Sequence, residues 1–328
     1  MSSLRERLRE RLVGAFLLLA ALCVLLGAFS GQVPDPWFFS ALPRFLENVL
    51  PWILAAGLGL SGLTVCLGAR WTGALMAVLC LLAGGGIAWQ HLRLSAPTVA
   101  GPADLRVLFF NVESSNDANA RAIAERVIAQ DPDVVVFAEA HPMRLARDLL
   151  KAHYAFAPDC PQGGCAMQVY AHEIPDRYEF RDLSGVYGTR FFHAVFETGL
   201  ETGGQGFDLY GVHLLKPWLS GIAPSERNRL IRRLTRDAEA GPRPAVMLGD
   251  YNAAPWNHAL VELMQRTGFR AERRLTGTWP PAAGDWGVPL DHALVRGGMR
   301  VVSVQPMGEG LGSNHRGLLV SLRRDGAG

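Results

Sequence analysis

The part of the chain after residue 100 carries polar residues of the types that bind metal ions and transfer protons. They stand beside short apolar segments and are Asn111, Glu139, His213, Asp250, Asn252, Asp291, His292 and the segment 313–316. Carboxylate and amide oxygens form the hard ligand set that Mg²⁺ or Mn²⁺ prefers. Such an ion neutralises a phosphate and polarises its ester bond, and a carboxylate can orient an imidazole for proton transfer. These residue types therefore suit metal-assisted phosphoester hydrolysis.

Short apolar segments must position these residues. Segments 106–110, 133–138, 207–213, 245–250, 290–295 and 316–322 predict strands, and 120–129 has the apolar spacing of a helix. Mixed strands and helices over about 225 residues predict one α/β or α+β domain. Because side chains at strand ends can meet at one edge of a layered sheet, the sequence predicts a shared site there.

Six short motifs occur in a fixed order along this domain. They are FN at 111, AE at 139, GVH at 213, GDYN at 249–252, LDH at 290–292 and SNHR at 313–316. The set resembles the endonuclease/exonuclease/phosphatase superfamily, which includes deoxyribonuclease-like and sphingomyelinase-like hydrolases. The resemblance implies a four-layer α/β (α+β) sandwich over residues 104–324, and it is strongest to bacterial members with several N-terminal membrane spans.

The resemblance also implies a metal site. Glu139 would be the principal ligand of Mg²⁺, or of Mn²⁺, with Asn111 beside it. The last motif is usually Ser-Asp-His, whereas this chain has Asn314 in place of the carboxylate. Glu113 matches a position where some members carry an acid, so Glu113 and Asn314 are both considered as additional ligands. The amide at 314 argues against a two-metal site.

The same resemblance implies roles in catalysis. Asp250 would orient or deprotonate the attacking water, and Asn252 would bind the phosphate. His315, oriented by Asp291, would accept a proton or stabilise the transition state. His213 would donate a hydrogen bond to the scissile phosphate or the leaving group. Whether Asp250 or His315 takes the proton stays open at this point.

Each of these residues also has a simpler explanation. Asn111 and the GDYN segment could form turns, Glu139 could be a surface carboxylate, and a single histidine is more often structural than catalytic. The alternative function is a non-catalytic, membrane-bound relative that acts as a binding or scaffolding protein. The other histidines, His141, His153, His172, His193 and His258, have no partner at the spacing of a helical or knuckle metal site and are not assigned as ligands.

Three long apolar segments precede the domain, at residues 12–30, 49–69 and 73–89. Because about 20 helical residues cross a bilayer core, they predict a membrane anchor over residues 1–90. The third segment is short enough to lie at the membrane interface instead. A cleaved signal peptide over the first segment is the alternative to an anchor. Residues 91–103 gain Pro and Gly and predict a linker.

The orientation of the anchor follows from its positive charges. Four arginines between residues 5 and 11 precede the first segment, so the positive-inside rule places the N-terminus in the cytoplasm. Three spans then put the domain outside the cytoplasmic membrane, and two spans put it inside. Cys160 and Cys165 could form a disulfide in an oxidising compartment or be two free thiols in a reducing one. A disulfide fits only the extracytoplasmic side, so the pair favours three spans. The sequence thus predicts a multi-pass protein of the inner membrane with an extracytoplasmic catalytic domain.

Composition limits the choice of partner. Of 328 residues, 49% are hydrophobic and 19% charged, which excludes a disordered or collagen-like chain. Residues after 100 hold 25 Lys and Arg against 26 Asp and Glu. This balance lacks the basic excess of a non-specific nucleic-acid surface. The substrate stays open among lipid, nucleic acid and small organophosphates, and no protein partner is evident.

Overall fold

The computed structural model describes residues 4–34, 41–159, 166–185, 188–197, 206–219, 221–240 and 243–325. Cys160 and Cys165, the candidate disulfide pair, lie outside the described residues. Contacts between residues divide the chain into two units. The first contains residues 1–93 with 256–258, and the second contains residues 94–255 with 259–328.

The first unit is helical. Its helices are α1 (Leu4–Phe29), α2 (Ala41–Glu47), α3 (Leu50–Cys66) and α4 (Arg70–Leu94). By length and composition, α1 and α4 could each cross a membrane, whereas α2 and α3 pass the same test only together, as a pair bent by 81°. The described helices thus provide two candidate spans, or three if the bent pair counts as one.

The surface and the packing of these helices differ from those of a soluble bundle. Several leucines of α1 and α4 are exposed, namely Leu18, Leu22, Leu75, Leu81 and Leu82. Exposed apolar side chains of this kind are typical of a surface that contacts an apolar partner. Gly57 of α3 lies against Cys23 and Cys80, because a Cβ there would come within 2.8 Å of Cys23 Cβ and 2.9 Å of Cys80 Sγ. Small residues at such contacts allow close helix packing in membranes.

The second unit contains all the strands of the described chain. They are β1 (Ser95–Ala96), β2 (Leu105–Asn111), β3 (Val134–Ala138), β4 (Met167–Ala171), β5 (Arg177–Arg181), β6 (Phe191–Phe196), β7 (Phe207–His213), β8 (Ala245–Asp250), β9 (Arg270–Glu272), β10 (Asp291–Arg296), β11 (Met299–Met307) and β12 (Gly317–Arg324). The helices among them are α5 (Ala120–Gln130), α6 (Arg147–His153), α7 (Ile222–Ala240) and α8 (His258–Thr267). The strands and the helix expected from the apolar segments agree with these bounds to within two residues.

Two sheets pack face to face in this unit. One has the strand order β1-β9-β10-β8-β7-β6-β5, and the other has the order β11-β12-β2-β3-β4. One apolar core contains buried side chains from both sheets, a second joins the five-stranded sheet to α5 and α6, and a third joins the seven-stranded sheet to α7 and α8. The order helices, sheet, sheet, helices is a four-layer α/β sandwich, so the predicted fold class is confirmed.

Side chains alternate between the two faces of each strand. In β2, Val107 and Phe109 lie in the core between the sheets, whereas Leu108 and Phe110 lie in the core under the helices. Asn111 follows in phase with Phe109 and therefore belongs to the inner face. Because both faces are covered, the strand is apolar nearly throughout.

Strand pairing brings the polar strand ends together. Parallel β7 and β8 pair His213 with Asp250, and antiparallel β10 pairs Asp291 with the same Asp250. Parallel β2 and β3 pair Asn111 with Ala138, the residue before Glu139. One end of each sheet thus carries the candidate site residues, on strands that are direct neighbours.

The segment predicted as a linker is partly ordered in regular structure. Helix α4 continues to Leu94, and Ser95 and Ala96 form β1, which pairs with β9 through Ala271 and Glu272. This pairing places the start of the second unit at the edge of the seven-stranded sheet. Apolar spacing could not predict it, because a two-residue strand has no periodicity.

Candidate active site

Asn111 connects the two sheets at the candidate site. Its Nδ2 donates hydrogen bonds to Asp250 Oδ2 at 3.0 Å and to Glu139 Oε1 at 3.4 Å, and its Oδ1 accepts one from the backbone N–H of Glu113 at 3.1 Å. The Asn111 side chain is buried. A buried amide that uses both of its ends fixes the positions of its partners. Asn111 thus holds Glu139 of one sheet against Asp250 of the other.

Glu139 follows β3 with a left-handed backbone, at φ +49°. Its Oε2 accepts hydrogen bonds from the backbone N–H of Ser114 at 3.1 Å and from Ser114 Oγ at 2.8 Å. Burial acts to raise the pKa of Glu139, but the hydrogen bonds from Ser114 and Asn111 outweigh it and lower that pKa. Glu139 is therefore a carboxylate at neutral pH, and its side chain is one-third exposed.

Unusual backbone conformations concentrate here. Four non-glycine residues of the described chain have positive φ, and three of them, Glu113, Glu139 and Asn252, belong to the predicted site. Such conformations cost of order 1 kcal/mol or more and persist where the surroundings enforce them, often at functional sites. The fourth is Asp131.

Asp250, Asp291 and His315 form a buried cluster. His315 Nδ1 lies 2.8 Å from Asp291 Oδ2, and His315 Nε2 lies 3.8 Å from Asp250 Oδ2. Burial, together with the negative charge of Asp291, raises the pKa of Asp250 to about 6. Burial opposes protonation of His315, but Asp291 and Asp250 outweigh it and raise the His315 pKa to about 9. At neutral pH Asp250 is therefore mostly ionised, and His315 is an imidazolium.

His213 has the opposite electrostatic environment. Its Nε2 lies 3.6 Å from Asp250 Oδ2 and 3.9 Å from Glu139 Oε1. Burial and the positive charge of Arg190 nevertheless lower the pKa of His213 well below its ordinary value. The site therefore contains one neutral and one protonated histidine at neutral pH, and it can offer two different kinds of hydrogen-bond donor.

The remaining predicted residues lie at the edge of this cluster. Asn252 donates its backbone N–H to Asp250 Oδ1 at 2.8 Å and its Nδ2 to the Leu214 carbonyl at 2.9 Å. Asn314 is exposed, and its backbone N–H donates to Glu113 Oε2 at 3.0 Å. Glu113 thus fixes the loop that carries Asn314. Whether either side chain ligates a metal stays a prediction.

His292, the neighbour of Asp291, is turned to the other face of β10. Its Nδ1 lies 3.1 Å from Glu272 Oε1, and its Nε2 lies 3.1 Å from the Ala253 carbonyl. Because side chains alternate along a strand, only one of two neighbouring residues can face the space between the sheets. Asp291 does so, and His292 has a structural role in the outer core.

Three positioning residues were missed by sequence reasoning. Arg190 donates from Nε to the His213 carbonyl at 2.8 Å, and the backbone N–H of His213 donates to the Arg190 carbonyl at 2.9 Å. Thr278 Oγ1 accepts the backbone N–H of Asp291 at 3.2 Å. Ser114 holds Glu139 as described above. A single Arg, Thr or Ser in a loop carries no signal in the sequence, because its partners are distant along the chain.

The donor set suits a hard divalent cation. One atom each from Asp250, Asp291 and the His315 imidazolium lies within 4.8 Å of the others, and in this group the two Asp side chains supply the ligand oxygens. Asp291 Oδ1 is buried and has no hydrogen-bond partner among the described residues, so it has an unused lone pair for a cation. Glu139 adds a partly exposed carboxylate. Asn111, predicted as a ligand, presents its amide nitrogen to both neighbouring carboxylates in this arrangement.

The second unit is similar in sequence and in fold to known proteins. The Endonuclease/Exonuclease/phosphatase family profile matches residues 108–315, which include the whole cluster, whereas a search of curated proteins gives no match. Several solved structures share this fold. A conserved protein of unknown function from Enterococcus faecalis V583 has a TM-score of 0.55 at 16% identity over 67% of this chain and 100% of that one.

The other two have comparable scores. An endonuclease/exonuclease/phosphatase from Beutenbergia cavernae has a TM-score of 0.53 at 19% identity over 69% of this chain and 72% of that one. The human Nocturnin catalytic domain with bound sulfate has a TM-score of 0.52 at 14% identity over 69% and 96%. Members of the matched family are typically hydrolases of phosphoester bonds. The profile match spans more than half of the sequence, and the chain therefore belongs to the endonuclease/exonuclease/phosphatase family.

Proposed function

We propose that this chain is a membrane-anchored, divalent-metal-dependent phosphoesterase in which water attacks the phosphorus of a phosphodiester or phosphomonoester. The observation that carries the proposal is the buried cluster of Asp250, Asp291 and His315 beside Glu139 and Asn111. Its mixture of carboxylates and a charged imidazole has no role in packing an apolar core. Family membership supports the reaction class.

Glu139, with oxygens of Asp250 and Asp291, would hold Mg²⁺ or Mn²⁺. The bound ion would supply charge neutralisation at the phosphate and polarisation of the ester. Glu139 is suited to this contact because its hydrogen bonds from Ser114 keep it ionised. Asn111 would keep the Glu139 and Asp250 carboxylates in place. Asn314 and Glu113 are secondary candidates at the rim.

The two proton-transfer candidates differ in charge at neutral pH. Asp250, whose pKa is about 6, is mostly ionised at pH 7 and can accept the proton of the attacking water. His315, whose pKa is about 9, already carries its proton and cannot act as a base there. We therefore assign Asp250 as the base and His315 as the cationic donor that stabilises charge on the phosphoryl oxygens. Asp291 holds the imidazolium in position.

His213 and Asn252 would contact the phosphate from the other side. The neutral imidazole of His213 can donate one hydrogen bond, and Arg190 fixes the backbone that carries it. Asn252 lies two residues after Asp250, to which its backbone N–H is bonded. A neutral donor adds no charge to the site, which suits a contact with the leaving-group oxygen.

A phosphoester of a lipid headgroup is the substrate class that we favour over nucleic acid and small organophosphates. The N-terminal helices have the length and composition of membrane spans. Leu275, Trp279 and Trp286 are exposed on the segment before β10, and Thr278 of the same segment holds the backbone of Asp291. Exposed apolar side chains next to a site favour contact with an apolar partner.

We also propose that the anchor lies in the inner membrane with the catalytic domain on its outer side. Three spans would be required, so α2 and α3 would together form the second span. Fusion of alkaline phosphatase or green fluorescent protein after residue 100 tests this. Phosphatase activity without fluorescence supports the three-span arrangement, and cytoplasmic fluorescence contradicts it.

Hydrolysis assays on the full chain in detergent test the function. The panel contains bis-p-nitrophenyl phosphate, sphingomyelin, glycerophospholipids and plasmid DNA, each with Mg²⁺, Mn²⁺ or a chelator. We expect metal-dependent turnover that is lost in Glu139→Ala and His315→Ala and retained in His141→Gln, an exposed histidine outside the site. A folded chain that is inactive on every substrate would favour the non-catalytic binding protein instead.

A further inference from the structure

A second group of metal-ligand residues lies away from the candidate active site. Asp131 Oδ1 lies 2.8 Å from His153 Nε2 and 2.9 Å from His172 Nε2, and all three ligand atoms lie within 4.8 Å of one another. The centroids of the two imidazole rings are 5.2 Å apart. The side chains of His153 and His172 are about one-third exposed, and that of Asp131 is more than half exposed. Solvent ions can therefore reach the cluster.

Three separate elements supply these residues. Asp131 follows α5 with a left-handed backbone, at φ +48°, His153 is the last residue of α6, and His172 follows β4. Antiparallel pairing of Val134 with Ala171 brings the end of β4 next to the start of β3. Sequence spacing did not associate the two histidines, because 19 positions and a strand separate their numbers.

The cluster is distant from the active site. Asp131 precedes β3 and Glu139 follows it, so the five residues of that strand lie between the two sites. At about 3.3 Å per residue, β3 alone separates them by roughly 16 Å. The two groups lie at opposite ends of the five-stranded sheet and have no residue in common.

The chemistry of this group differs from that of the active site. Two imidazole nitrogens and one carboxylate oxygen are a typical ligand set for Zn²⁺, and three protein ligands leave one position open to solvent. Ligand atoms about 2.0–2.1 Å from a tetrahedral ion are roughly 3.3 Å apart. The distances from Asp131 Oδ1 to the two imidazoles are within about 0.5 Å of that separation. Small side-chain rotations would therefore admit an ion.

Tyr154 provides an independent observation. Its side chain is buried, with an exposed fraction of 2%. Its ring centroid lies 4.8 Å from that of His153 and 4.7 Å from that of His172. Tyr154 Oη has no hydrogen-bond partner among the described residues. A tyrosine ring that contacts both imidazoles thus carries a buried hydroxyl without a partner among the described residues, and a bound ion or its water could supply one.

We propose that Asp131, His153 and His172 bind one divalent transition-metal ion that prefers imidazole, of the Zn²⁺ class, and that this ion joins the ends of α5, α6 and β4. The site would be structural and would act on stability, because it shares no residue with the catalytic cluster. Because the ion would bind the folded state and not the unfolded state, it would raise the melting temperature of the chain.

Zinc binding to the full chain in detergent tests the proposal. Chelator-treated protein is titrated with Zn²⁺ against a chromophoric chelator in excess Mg²⁺, which competes for oxygen-rich sites. We expect one Zn²⁺ per chain and a concentration-dependent rise in the melting temperature. His153→Gln and His172→Gln should each weaken binding by more than about 100-fold, since loss of an outer partner alone costs 10–100-fold. His141→Gln should leave it unchanged.

Two results would overturn the proposal. One is the absence of a tight Zn²⁺ equivalent in the wild-type chain, and the other is equal affinity in wild type and both variants. Should the variants fail to fold, X-ray absorption of the zinc-loaded His213→Gln chain, whose active site keeps a single histidine, decides the question. Scattering from two imidazoles supports the site, and scattering from fewer than two refutes it.

Discussion

Asp291→Asn tests the proposed assignment of Asp250 as the base and His315 as the cationic donor. Asp291 is fully buried, and its Oδ2 lies 2.8 Å from His315 Nδ1. The His315 pKa of about 9 exceeds its ordinary value of 6.5. At 1.36 kcal/mol per unit this difference corresponds to about 3 kcal/mol in favour of the imidazolium. Asp291 is the largest source of that stabilisation, since burial alone acts in the opposite direction.

The substitution should therefore move the His315 pKa to near or below its ordinary value. Because the folded-state pKa is raised, protonation is lost as the pH rises through about 9 in the wild type, and in Asp291→Asn it should be lost below neutral pH. Activity at pH 7 should fall by roughly 10²- to 10³-fold, the usual cost of losing one donor that stabilises charge in the transition state. The basic limb of the pH–rate profile should move to lower pH.

Two measurements check this expectation. The first is kcat/KM as a function of pH, and the second is the titration of ¹⁵N-labelled histidine signals, with His315 assigned by its loss in His315→Gln. Glu272→Gln is the matched control, because it removes the buried carboxylate 3.1 Å from His292 on the opposite face of β10. It should leave the active-site profile unchanged. An unmoved basic limb in Asp291→Asn, or an equal loss of activity in Glu272→Gln, would refute the reasoning.

Three further predictions concern the metal, the base and the core. Glu139→Gln should abolish the part of the activity that a chelator removes. The melting temperature measured without metal should change by no more than a few degrees, because this carboxylate is partly exposed. Mg²⁺-dependent turnover in the variant would contradict the assignment of Glu139 as a ligand. Activity should rise as the pH increases through about 6, because Asp250 loses its proton there. A bound cation would move this rise to lower pH, since a positive charge favours the carboxylate form. A rate that falls over this range would exclude Asp250 as the base. Phe109→Ala removes a fully buried side chain between the sheets and should lower the free energy of unfolding by about 3–5 kcal/mol. Chemical denaturation measures this loss, and a loss below about 1 kcal/mol would contradict the described core.

Much of this architecture was readable from local patterns. The apolar segments at 207–213 and 245–250 coincide with β7 and β8, because a strand covered on both faces must be apolar along its length. The motif order identified the family, which the profile match confirms. The polar residues after Phe110, Ala138 and Gly249 marked where the covered strands end.

The N-terminal apolar segments were predicted less completely. Hydropathy located the apolar runs, but it treated residues 49–69 as a continuous candidate span. In the structure, α3 covers only Leu50–Cys66 and meets α2 at 81°. Arg44 of α2 forms a buried ion pair with Glu47 at 2.5 Å, so its positive charge is neutralised within the helix. Composition does not report such pairing.

Sequence by itself thus determined part of the strand set, namely β2, β3, β7, β8, β10 and β12. It also determined which residue types end those strands and which chemistry those types can perform, since these depend on local periodicity and on the side chains themselves. Tertiary structure decided which side chains meet. Both faces of β10 are buried, so no polar alternation indicates that Asp291 faces the site while His292 faces the helices. Likewise, the approach of His153 to His172 depends on strand pairing over long chain separations. Contacts of this kind arise from packing between sheets and helices, and no local pattern encodes them.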